Sequence, residues 1–519
     1  MTESALHLYD TLTKTLKPLV PNRPGEVRIY TCGPTVYDDA HVGHARAALA
    51  PDTLVRHLRG LGLKVTYARN ITDVDDKILQ RAGESGEEPT ALSARMAERY
   101  HEDIRALGCV DPDVAPKVSQ HIPQSIATIE RIIDHEAGYV VELPDGAQDV
   151  YFAVRKFDSY GKLSGRKLED MRVGARVEAS DHKRDPLDFA LWKGCTDDGW
   201  GWPSPWGKGR PGWHIECSAM SAEYLGHGFD VHCGGMDLIF PHHENEIAQA
   251  EAASPEHGDF VGLWMHNGFV NVDKEKMAKS LGNFVTIRDV YRRYDPEALR
   301  YFLLGVHYRG PIAFDTDKRP DGRVLFPGIA EAERRLDYLY GTLERLTELA
   351  DKEGLTPPPA GKQPKELSAP SKTVEEAPVK LRAAFDDDLN TPVALAVLAE
   401  LATLANELCD LAQKRRKDGR FQGAAQQLAS ATRDAIRGAG ELLGVLQCET
   451  EEYRRRTQAL RLSLAGLTAD DIESKIAARK QARVDKDFDK ADALRAELVA
   501  LGVELADTPT GTIWHLTAV

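Results

Sequence analysis

The sequence predicts an α/β protein of several units: a parallel-sheet domain, then helices, then a small mixed α/β end. Strand-like and helix-like patterns alternate over the first 110 residues, and helical periodicity takes over from Gly328. Short strand-like segments return after a charged helix near the C-terminus. A chain of 519 residues also exceeds one hydrophobic core, since domains typically hold roughly 100–200 residues.

The alternating region begins with a strand-like run, VRIYTC at 27–32, that stops at a Gly-Pro turn. Leucine and valine then recur every three or four residues over 43–61, as on one face of a helix. KVTYA at 64–68 follows as a second strand. Strand, helix and strand within about 45 residues predict a βαβ unit and hence a parallel sheet.

Residues 115–207 interrupt this pattern and are interpreted as an insertion, because they hold scattered short segments, several prolines and a Trp/Pro/Gly-rich stretch. Regular patterns resume with a helix after Cys217, a strand at 229–233 and a helix from about His243. A further strand at 270–272 precedes a lysine-rich loop.

The rest of the chain is mainly helical. Seven apolar residues recur in steps of three and four from Ile329 to Leu349, and two further amphipathic helices are predicted near 392–414 and 424–446. The Pro-, Lys- and Ser-rich stretch at 352–378 is interpreted as a solvated linker. One charged helix over 470–502 then leads to the final strand-like pieces.

Composition narrows the class of protein. Lys and Arg number 66 against 81 Asp and Glu, and this net charge of -15 argues against bulk electrostatic binding of nucleic acid. A hydrophobic fraction of 42% excludes wholesale disorder, and no apolar run of 18 or more residues predicts a membrane span. The first residues lack the pattern of a secretory signal, and the seven cysteines suggest no disulfide framework. We expect a reduced, cytoplasmic protein without a membrane partner.

Two short motifs carry the strongest chemical signal. HVGH at 41–44 falls between the first strand and the first helix, where free N–H groups and the helix dipole favour an anion. KMAKS at 276–280 places two ammonium groups on a loop after a strand. Either motif alone is weak, because surface histidines or a solvated charge run would have the same pattern. Both suit the binding of phosphates.

Together and in this order, the two motifs resemble the HIGH and KMSKS motifs of class I aminoacyl-tRNA synthetases. Further segments narrow the resemblance to the cysteinyl-tRNA synthetase family: TCGPTVY at 31–37, RNITDVDDKI at 69–78, PGWHIECSAM at 211–220, DVHCGGMDLIFPHHENE at 230–246 and FDDDLNTP at 385–392. The resemblance runs from about residue 6 to the C-terminus.

The resemblance implies a Rossmann-like parallel-sheet catalytic domain with an inserted connective subdomain, an α-helical bundle and a small mixed α/β C-terminal domain that reads the anticodon. The expected division is 1–114 and 208–264 for the catalytic domain, 115–207 for the connective insertion, 265–325 for the KMSKS-loop and stem-contact region, 326–450 for the bundle with its linker at 352–378, and 465–519 for the C-terminal domain.

Four residues form a candidate metal site: Cys32, Cys217, His242 and Glu246. His242 and Glu246 stand four apart and would share one helix face, but the cysteines lack the CxxC spacing of a zinc module. From the residues alone, buried inert thiols are the ordinary interpretation. The resemblance implies instead that these four are zinc ligands. Zinc favours thiolate, so it would separate cysteine from serine, where apolar packing separates such similar substrates by only ~1–3 kcal/mol.

The resemblance also implies the remaining roles. Catalysis is expected from His41, His44, Lys276 and Lys279, which would supply a positive field beside Mg²⁺ on the triphosphate. ATP binding is expected from Gly33, Thr35, His41, Gly43, His44 and Lys279, and cysteine binding from Cys32, Thr72, Trp213 and His232. Two positions depart from the family pattern. Ala278 lies in the KMSKS-like loop, and we expect the chemistry to survive this change. Cys233 either lines the pocket or only packs, and packing is the simpler interpretation.

The implied reaction is ATP-dependent activation of L-cysteine to cysteinyl-adenylate, followed by transfer to the 2′-OH of the terminal adenosine of tRNA-Cys, by a monomer. Two alternatives stay open. A mycothiol-pathway cysteine:amino-sugar ligase would resemble the catalytic half, but residues 465–519 argue against it. A catalytically silent homologue acting as a tRNA- or zinc-binding module is disfavoured by the intact motifs.

The C-terminal segment offers candidates for the anticodon contacts. Trp514 is a candidate for stacking on a base, as single-stranded bases are usually read. Five basic residues could cluster on part of one helix, although a solvated charged helix would have the same pattern: Arg479, Lys480, Arg483, Lys486 and Lys490.

Overall fold

The fold comes from a computed structural model, which describes residues 6–170, 182–273, 275–276, 284–320, 322–353, 364–508 and 511–516. The strands are β1 His7–Asp10, β2 Thr15–Pro18, β3 Glu26–Thr31, β4 Lys64–Arg69, β5 Gly138–Glu142, β6 Gln148–Phe152, β7 Phe189–Gly194, β8 Gly209–Pro211, β9 Phe229–Gly235, β10 Val261–Asn267, β11 Val270–Val272, β12 Glu275–Lys276, β13 Ile312–Phe314, β14 Asp317–Lys318, β15 Val324–Leu325, β16 Val503–Thr508 and β17 Gly511–Leu516. The helices are α1 Val42–Gly60, α2 Asp76–Ser85, α3 Pro89–Ala106, α4 Ile122–Asp134, α5 Ile215–Leu225, α6 Glu244–Ala253, α7 Ile287–Tyr291, α8 Pro296–Leu304, α9 Pro327–Ala350, α10 Ser368–Asp386, α11 Thr391–Lys414, α12 Gly419–Leu443, α13 Thr450–Ala465, α14 Ala469–Val484 and α15 Phe488–Ala500.

A parallel sheet with the strand order β10-β9-β3-β4 positions the functional residues, and we call it the main sheet. Helix α1 connects β3 to β4, which confirms the predicted βαβ unit. The strands are parallel, so their carboxyl ends meet at one edge, where ligands bind in folds of this kind. Leu49, Leu54 and Leu58 of α1 are buried, as the three- and four-residue spacing predicted.

The insertion folds as its own antiparallel sheet, in the order β5-β6-β7-β8, with α4 beside it. Its last strand, Gly209–Pro211, pairs with β7, so the predicted boundary at 207 lies too early. This strand was not predicted because glycine and proline, which are uncommon in strands, dominate its sequence. Lys193 and Arg210 of this sheet both form ion pairs with Asp76 at the start of α2. The insertion is thereby tied to the rim of the main sheet.

The bundle contains α9, α10, α11 and α12, and the helices predicted for residues 329–349, 392–414 and 424–446 are confirmed. The predicted linker is wrong over 368–378, because these residues open α10, while 354–363 lie outside the described residues. Val374, Ala377 and Leu381 form the buried face of α10. The proline-rich composition suggested a linker, but Pro370 lies in the first turn of α10, where no backbone donor is needed, and the helix also accommodates Pro378.

Within the described residues, α11 is long and apolar enough to cross a membrane by length and composition alone. It packs against α9, α10 and α12, and Leu398 and Leu401 lie on its buried face. The apolar side of α11 therefore has the placement of a core helix in a bundle.

The C-terminal domain, defined as residues 465–519, contains two helices where the sequence predicted one. Helix α14 ends at Val484, Lys486 adopts a left-handed backbone with φ 59°, and the Asp487 side chain accepts a hydrogen bond from the Lys490 N–H (3.1 Å) to cap α15. The charged sequence carries no glycine or proline to mark this break. The two helices and the hairpin β16–β17 enclose a core of Ile472, Leu498, Val503 and Leu516.

Candidate active site

A cavity of about 580 Å³ opens at the carboxyl edge of the main sheet. Its wall is formed by the segments after β3 and β4, the start of α1, the turn after β9 and the end of β10. Ten of the residues predicted for the site line it: Cys32, Gly33, Thr35, His41, Gly43, His44, Thr72, Trp213, Cys217 and His242. The structure thus brings together motifs that are far apart in the sequence.

Four side chains with metal-binding atoms meet at one end of the cavity. The Cys32 Sγ lies 3.4 Å from the Cys217 Sγ, 3.5 Å from the His242 Nε2 and 3.3 Å from the Glu246 Oε1. The His242 Nε2 and the Glu246 Oε1 are 3.0 Å apart, and the four donor atoms lie within 4.8 Å of one another. Cys32 follows β3, Cys217 lies in α5, His242 in a π-helical turn at Ile239–His243, and Glu246 in α6. We call these four residues the sulfur cluster.

The donor set of the sulfur cluster fits zinc, which takes thiolate, imidazole and carboxylate ligands in buried sites. A second group, formed by Cys32, His232, His243 and Glu246, is equally compact. However, neither His232 nor His243 reaches the cavity wall, whereas Cys32, Cys217 and His242 do. The sulfur cluster is therefore the set that could hold an ion with a position open to a substrate.

The charges within the sulfur cluster are complementary. Burial would lower the pKa of His242, but Glu246 and Cys217 raise it to about 10, and two histidines hold the pKa of the Glu246 carboxyl well below its usual range against the effect of burial. A hydrogen bond from Cys32 lowers the pKa of Cys217 to about 6, while burial raises that of Cys32. The cluster thus pairs acidic groups with a basic imidazole, and a cation bound among them would take the place of protons.

His232 is not among the residues that line the cavity, and its predicted contact with the amino acid stays a prediction. Its side chain is completely buried, its Nε2 lies 2.9 Å from the Glu246 Oε2, and its ring stacks on Trp264 with centroids 4.6 Å apart. His232 therefore fixes the orientation of the Glu246 carboxylate and does so from within the protein core. His214 orients His242 in a similar way, since their Nδ1 atoms lie 3.0 Å apart. No sequence pattern had indicated a role for His214. Such outer partners fix the orientation of metal-binding side chains.

The segment after β4 packs directly against the segment after β3. The Gly33 N–H donates to the Asn70 Oδ1 (2.8 Å), and a Cβ at Gly33 would lie 1.6 Å from the Asn70 carbonyl oxygen. Only glycine therefore fits at this position, and its amide is already bonded. Thr72 donates to the Glu216 Oε2 (3.2 Å) and accepts from the Asn70 Nδ2 (3.2 Å). Asn70 and Glu216 were missed, although both lie inside the quoted segments RNITDVDDKI and PGWHIECSAM.

Trp213 forms the rim of the cavity beside the sulfur cluster. Its ring lies 4.4 Å from the His242 ring, and 40% of the residue is exposed. An exposed indole beside the His242 imidazole can cover a small substrate held below it.

The two histidines of HVGH act as neutral hydrogen-bond donors. The Nδ1 of His41 accepts from the Gly43 N–H (3.1 Å), and the Nδ1 of His44 accepts from the His41 N–H (3.3 Å). With both Nδ1 atoms accepting, the neutral rings carry their protons on Nε2. Burial lowers the pKa of His44 to about 4, which favours the neutral ring at neutral pH, and the predicted role of His44 in catalysis stays a prediction.

The chain beyond the KMAKS loop returns to the HVGH motif. The Val42 N–H donates to the Val285 carbonyl (3.1 Å), the ring of Phe284 lies 5.1 Å from that of His41, and Thr286 bridges to His41 through the backbone. Before the loop, the Lys276 backbone pairs with β11. Residues 277–283, with Lys279, lie outside the described residues.

Comparison with known proteins agrees with this arrangement. Residues 18–319 match the family described as tRNA synthetases class I (C) catalytic domain, and residues 380–447 match the family described as DALR domain. A cysteine–tRNA ligase of Anaeromyxobacter dehalogenans is 48% identical over 515 residues, covering 99% of this chain and 100% of that protein. A cysteine–tRNA ligase of Syntrophobacter fumaroxidans is 45% identical over 516 residues, covering 98% of this chain and 99% of that protein.

Among solved structures, Mycobacterium tuberculosis methionyl-tRNA synthetase in complex with methionyl-adenylate aligns with a TM-score of 0.61 at 17% identity, covering 86% of this chain and 94% of that chain. This likeness shows a shared class I fold. The relatives of high identity match nearly the whole chain, which does not favour the amino-sugar ligase. The chain therefore belongs to the cysteine–tRNA ligase family, the class I aminoacyl-tRNA synthetases whose substrates are a tRNA, ATP and an amino acid.

Proposed function

We propose that the sulfur cluster holds one zinc ion and that this ion selects L-cysteine for charging onto tRNA-Cys. The proposal is supported chiefly by the position of the cluster, since two thiols and an imidazole on a cavity wall that continues to HVGH meet the buried carboxylate of Glu246. Zinc bound there would take the thiol of the substrate as a thiolate, an interaction that the hydroxyl of serine cannot reproduce.

The residues of this chain would then hold the amino acid in place. Trp213 would cover it, and Thr72, itself bonded to Glu216 and Asn70, would fix the lip of the pocket. With the thiol held at the sulfur cluster, the carboxylate of cysteine would point toward the start of α1. This orientation sets an amino acid and a nucleotide in line, and such positioning supplies much of the rate of a reaction between two bound substrates.

The first chemical step is attack of the cysteine carboxylate on the α-phosphate of ATP, which forms cysteinyl-adenylate and releases pyrophosphate. His41 and His44 would donate from Nε2 to phosphate oxygens at the N-terminus of α1, where the helix dipole adds a favourable field. Gly33, Thr35 and Gly43 would form the wall beside the nucleotide. Lys276 and Lys279 would meet the leaving phosphates together with Mg²⁺.

In the second step, the 2′-hydroxyl of the terminal adenosine of tRNA-Cys attacks the carbonyl of the adenylate, and AMP leaves. In the domain division expected from the sequence, residues 465–519 would bind the anticodon of the tRNA. Arg479 is buried there and is not available to RNA, whereas four basic residues are exposed on or beside α14 and α15: Lys480, Arg483, Lys486 and Lys490. We expect the protein to act as a cytoplasmic monomer.

Cysteine-dependent ATP–pyrophosphate exchange, with serine as competitor, tests the role of the sulfur cluster. Cys217→Ser should lose most of its zinc and raise the KM for cysteine by at least about 100-fold, because one of four ligands is gone. Cys195→Ser, a partly exposed thiol of the insertion, serves as the matched control and should behave as wild type. If Cys217→Ser kept its full zinc content and unchanged kinetics, the sulfur cluster would not be the group that selects the substrate.

The transfer step has its own assay. Charging of tRNA-Cys, with the tRNA present or omitted, distinguishes the proposed ligase from one that uses an amino-sugar acceptor. Stable attachment of cysteine to the tRNA supports the proposal. Exchange activity without any attachment to tRNA-Cys would contradict it.

A further inference from the structure

Arg69, the last residue of β4, is a buried guanidinium without a hydrogen-bond partner. Only 2% of the residue is exposed, and its Nε, Nη1 and Nη2 make no hydrogen bond to any of the described residues. A guanidinium carries five donors and stays charged in proteins. Burial of such a group without partners is strongly unfavourable, so its presence needs a reason.

Other buried arginines of the chain show how the fold normally satisfies this group. Arg46 donates to the carbonyls of His307 and Gly310, both at 2.8 Å, and Arg300 donates to the Leu443 carbonyl (2.7 Å) and pairs with Asp52. Neither of them lines the substrate cavity, whereas Arg69 does. The unpartnered guanidinium is thus found at the place where a ligand can reach it.

The groups around Arg69 provide no acceptor for its donors. Its guanidinium carbon lies 5.9 Å from the ring centre of Tyr67 and 5.5 Å from that of Tyr100, so its face is covered by aromatic rings. The carboxylate of Asp52 is occupied, with Oδ1 accepting from the Val110 N–H (2.7 Å) and Oδ2 accepting from other arginines.

Two nearby hydroxyl groups are also buried without a hydrogen bond to the described part of the chain. The Tyr67 Oη and the Thr31 Oγ1 are buried and have no hydrogen-bond partner among the described residues. Thr31 and Arg69 line the cavity together with Ala47, which lies one turn beyond His44 on α1. Two unpartnered donor groups, the Arg69 guanidinium and the Thr31 hydroxyl, therefore line the cavity near the HVGH motif, whereas Tyr67 does not line it.

We propose that Arg69, assisted by the hydroxyl of Thr31, forms an oxyanion-binding subsite in the wall of the substrate cavity. The fork of a guanidinium matches the two oxygens of a carboxylate or a phosphate. The ligand is an oxyanion of a substrate of the proposed function, either the carboxylate of the amino acid or a phosphate of the nucleotide. In both cases Arg69 touches the substrate near the atoms that react.

Calorimetric titration of the full-length, zinc-loaded protein tests this subsite with four probes: cysteine, cysteamine, ATP and adenosine. Cysteamine lacks the carboxylate of cysteine, and adenosine lacks the phosphates of ATP. Arg69→Gln should weaken the binding of cysteine or of ATP on the order of 10- to 100-fold, because a charge-assisted pair is lost. Binding of the probe that lacks the oxyanion should stay within about twofold of wild type, and this difference identifies which oxyanion is bound.

Two further variants keep the test decisive. Arg69→Lys retains the charge and loses the fork, so it should fold and show an intermediate loss. Tyr100→Phe preserves the ring beside the guanidinium and should bind all four probes as wild type does. Unchanged affinity for both cysteine and ATP in folded Arg69→Gln or Arg69→Lys would overturn the subsite, as would an equal loss for cysteamine and adenosine. Failure of the wild-type protein to bind cysteine or ATP would instead contradict the proposed function.

Discussion

The substrate cavity and the C-terminal domain are held together in opposite ways. Around the cavity, residues as distant in sequence as Cys32 and Glu246, 214 positions apart, bond to one another through buried side chains. The C-terminal domain packs neighbouring elements around a core of only a few residues, from Ile472 to Leu516. The chemistry of the cavity therefore depends on the whole main sheet, whereas the C-terminal domain is an almost local structure.

The largest expected effect comes from Glu246→Gln. This substitution removes a buried carboxylate that contacts Cys32, His232 and His242, and breaking a buried ion pair typically costs about 3–5 kcal/mol. We expect loss of zinc and at least about a 100-fold fall in pyrophosphate exchange, with unfolding followed by denaturant titration. Glu251→Gln on the same helix, which removes an ion pair with Lys162, is the control and should retain zinc. If Glu246→Gln retained zinc, the residues around the cavity would depend on one another less than their contacts indicate.

The next effect tests the local character of the C-terminal domain. Leu498→Ala should destabilise that domain by about 2–5 kcal/mol, because Leu498 is completely buried in its small core. Hydrogen exchange should rise over 465–516 alone, exchange of pyrophosphate should stay unchanged, and charging of tRNA-Cys should fall. Leu501→Ala, at a site that is 37% exposed, should change the stability by less than about 0.5 kcal/mol. A fall in pyrophosphate exchange caused by Leu498→Ala would mean that the two regions are coupled.

A smaller effect is expected from Gly33→Ala. The added methyl group would meet the Asn70 carbonyl at 1.6 Å, so the segments after β3 and β4 must separate at a cost of about 1–3 kcal/mol. We expect a raised KM for cysteine, since Thr72 is bonded to Asn70. Gly83→Ala in α2 has no atom within 4 Å of the new methyl group and should be neutral or slightly stabilising. Equal stability of both variants would contradict this close packing.

The smallest effect is a dependence of stability on pH. His44 has a pKa of about 4 in the folded protein against 6.5 ordinarily, so the unfolded chain binds more protons at mildly acidic pH. The contribution of His44 to the free energy of unfolding is present above pH 6.5 and is lost as the pH falls. The loss amounts to about 1 kcal/mol between pH 6.5 and 5.5. Chemical denaturation at several pH values should show this loss, and His44→Asn should reduce it. An unchanged pH dependence in His44→Asn would contradict a neutral, partly buried His44.

The βαβ unit of the main sheet could be predicted from the sequence because it rests on local signals, whereas most residues of the cavity were indicated by the family resemblance. The spacing of His242 and Glu246 indicated a shared helix face, and the apolar period over 43–61 indicated α1. The pairing of Cys32 with Cys217 could not be derived from spacing, since 185 residues separate them, and only the family resemblance indicated it.

Other features could not be predicted, because tertiary contacts decide them. The Asn70 side chain is fixed by its neighbour Gly33 across the strand ends, and the position of His232 behind Glu246 depends on how β9 faces α6. The turn at Lys486 carries no glycine or proline, so the charged helix was predicted as one. The roles of Lys276 and Lys279 stay predictions.

The wide spacing of the sulfur cluster has a consequence for the order of events during folding. In a zinc finger the ligands are close in sequence, and the ion can organise the chain around itself. Here the donors come from the segments after β3, within α5 and around the start of α6, and bringing them together requires closure of a loop of 185 residues between the two thiols. The proposed ion would therefore contribute little to nucleating this fold. It would be bound once the sheet has brought the four donors together, and a newly made chain would lack the proposed selection of cysteine until then.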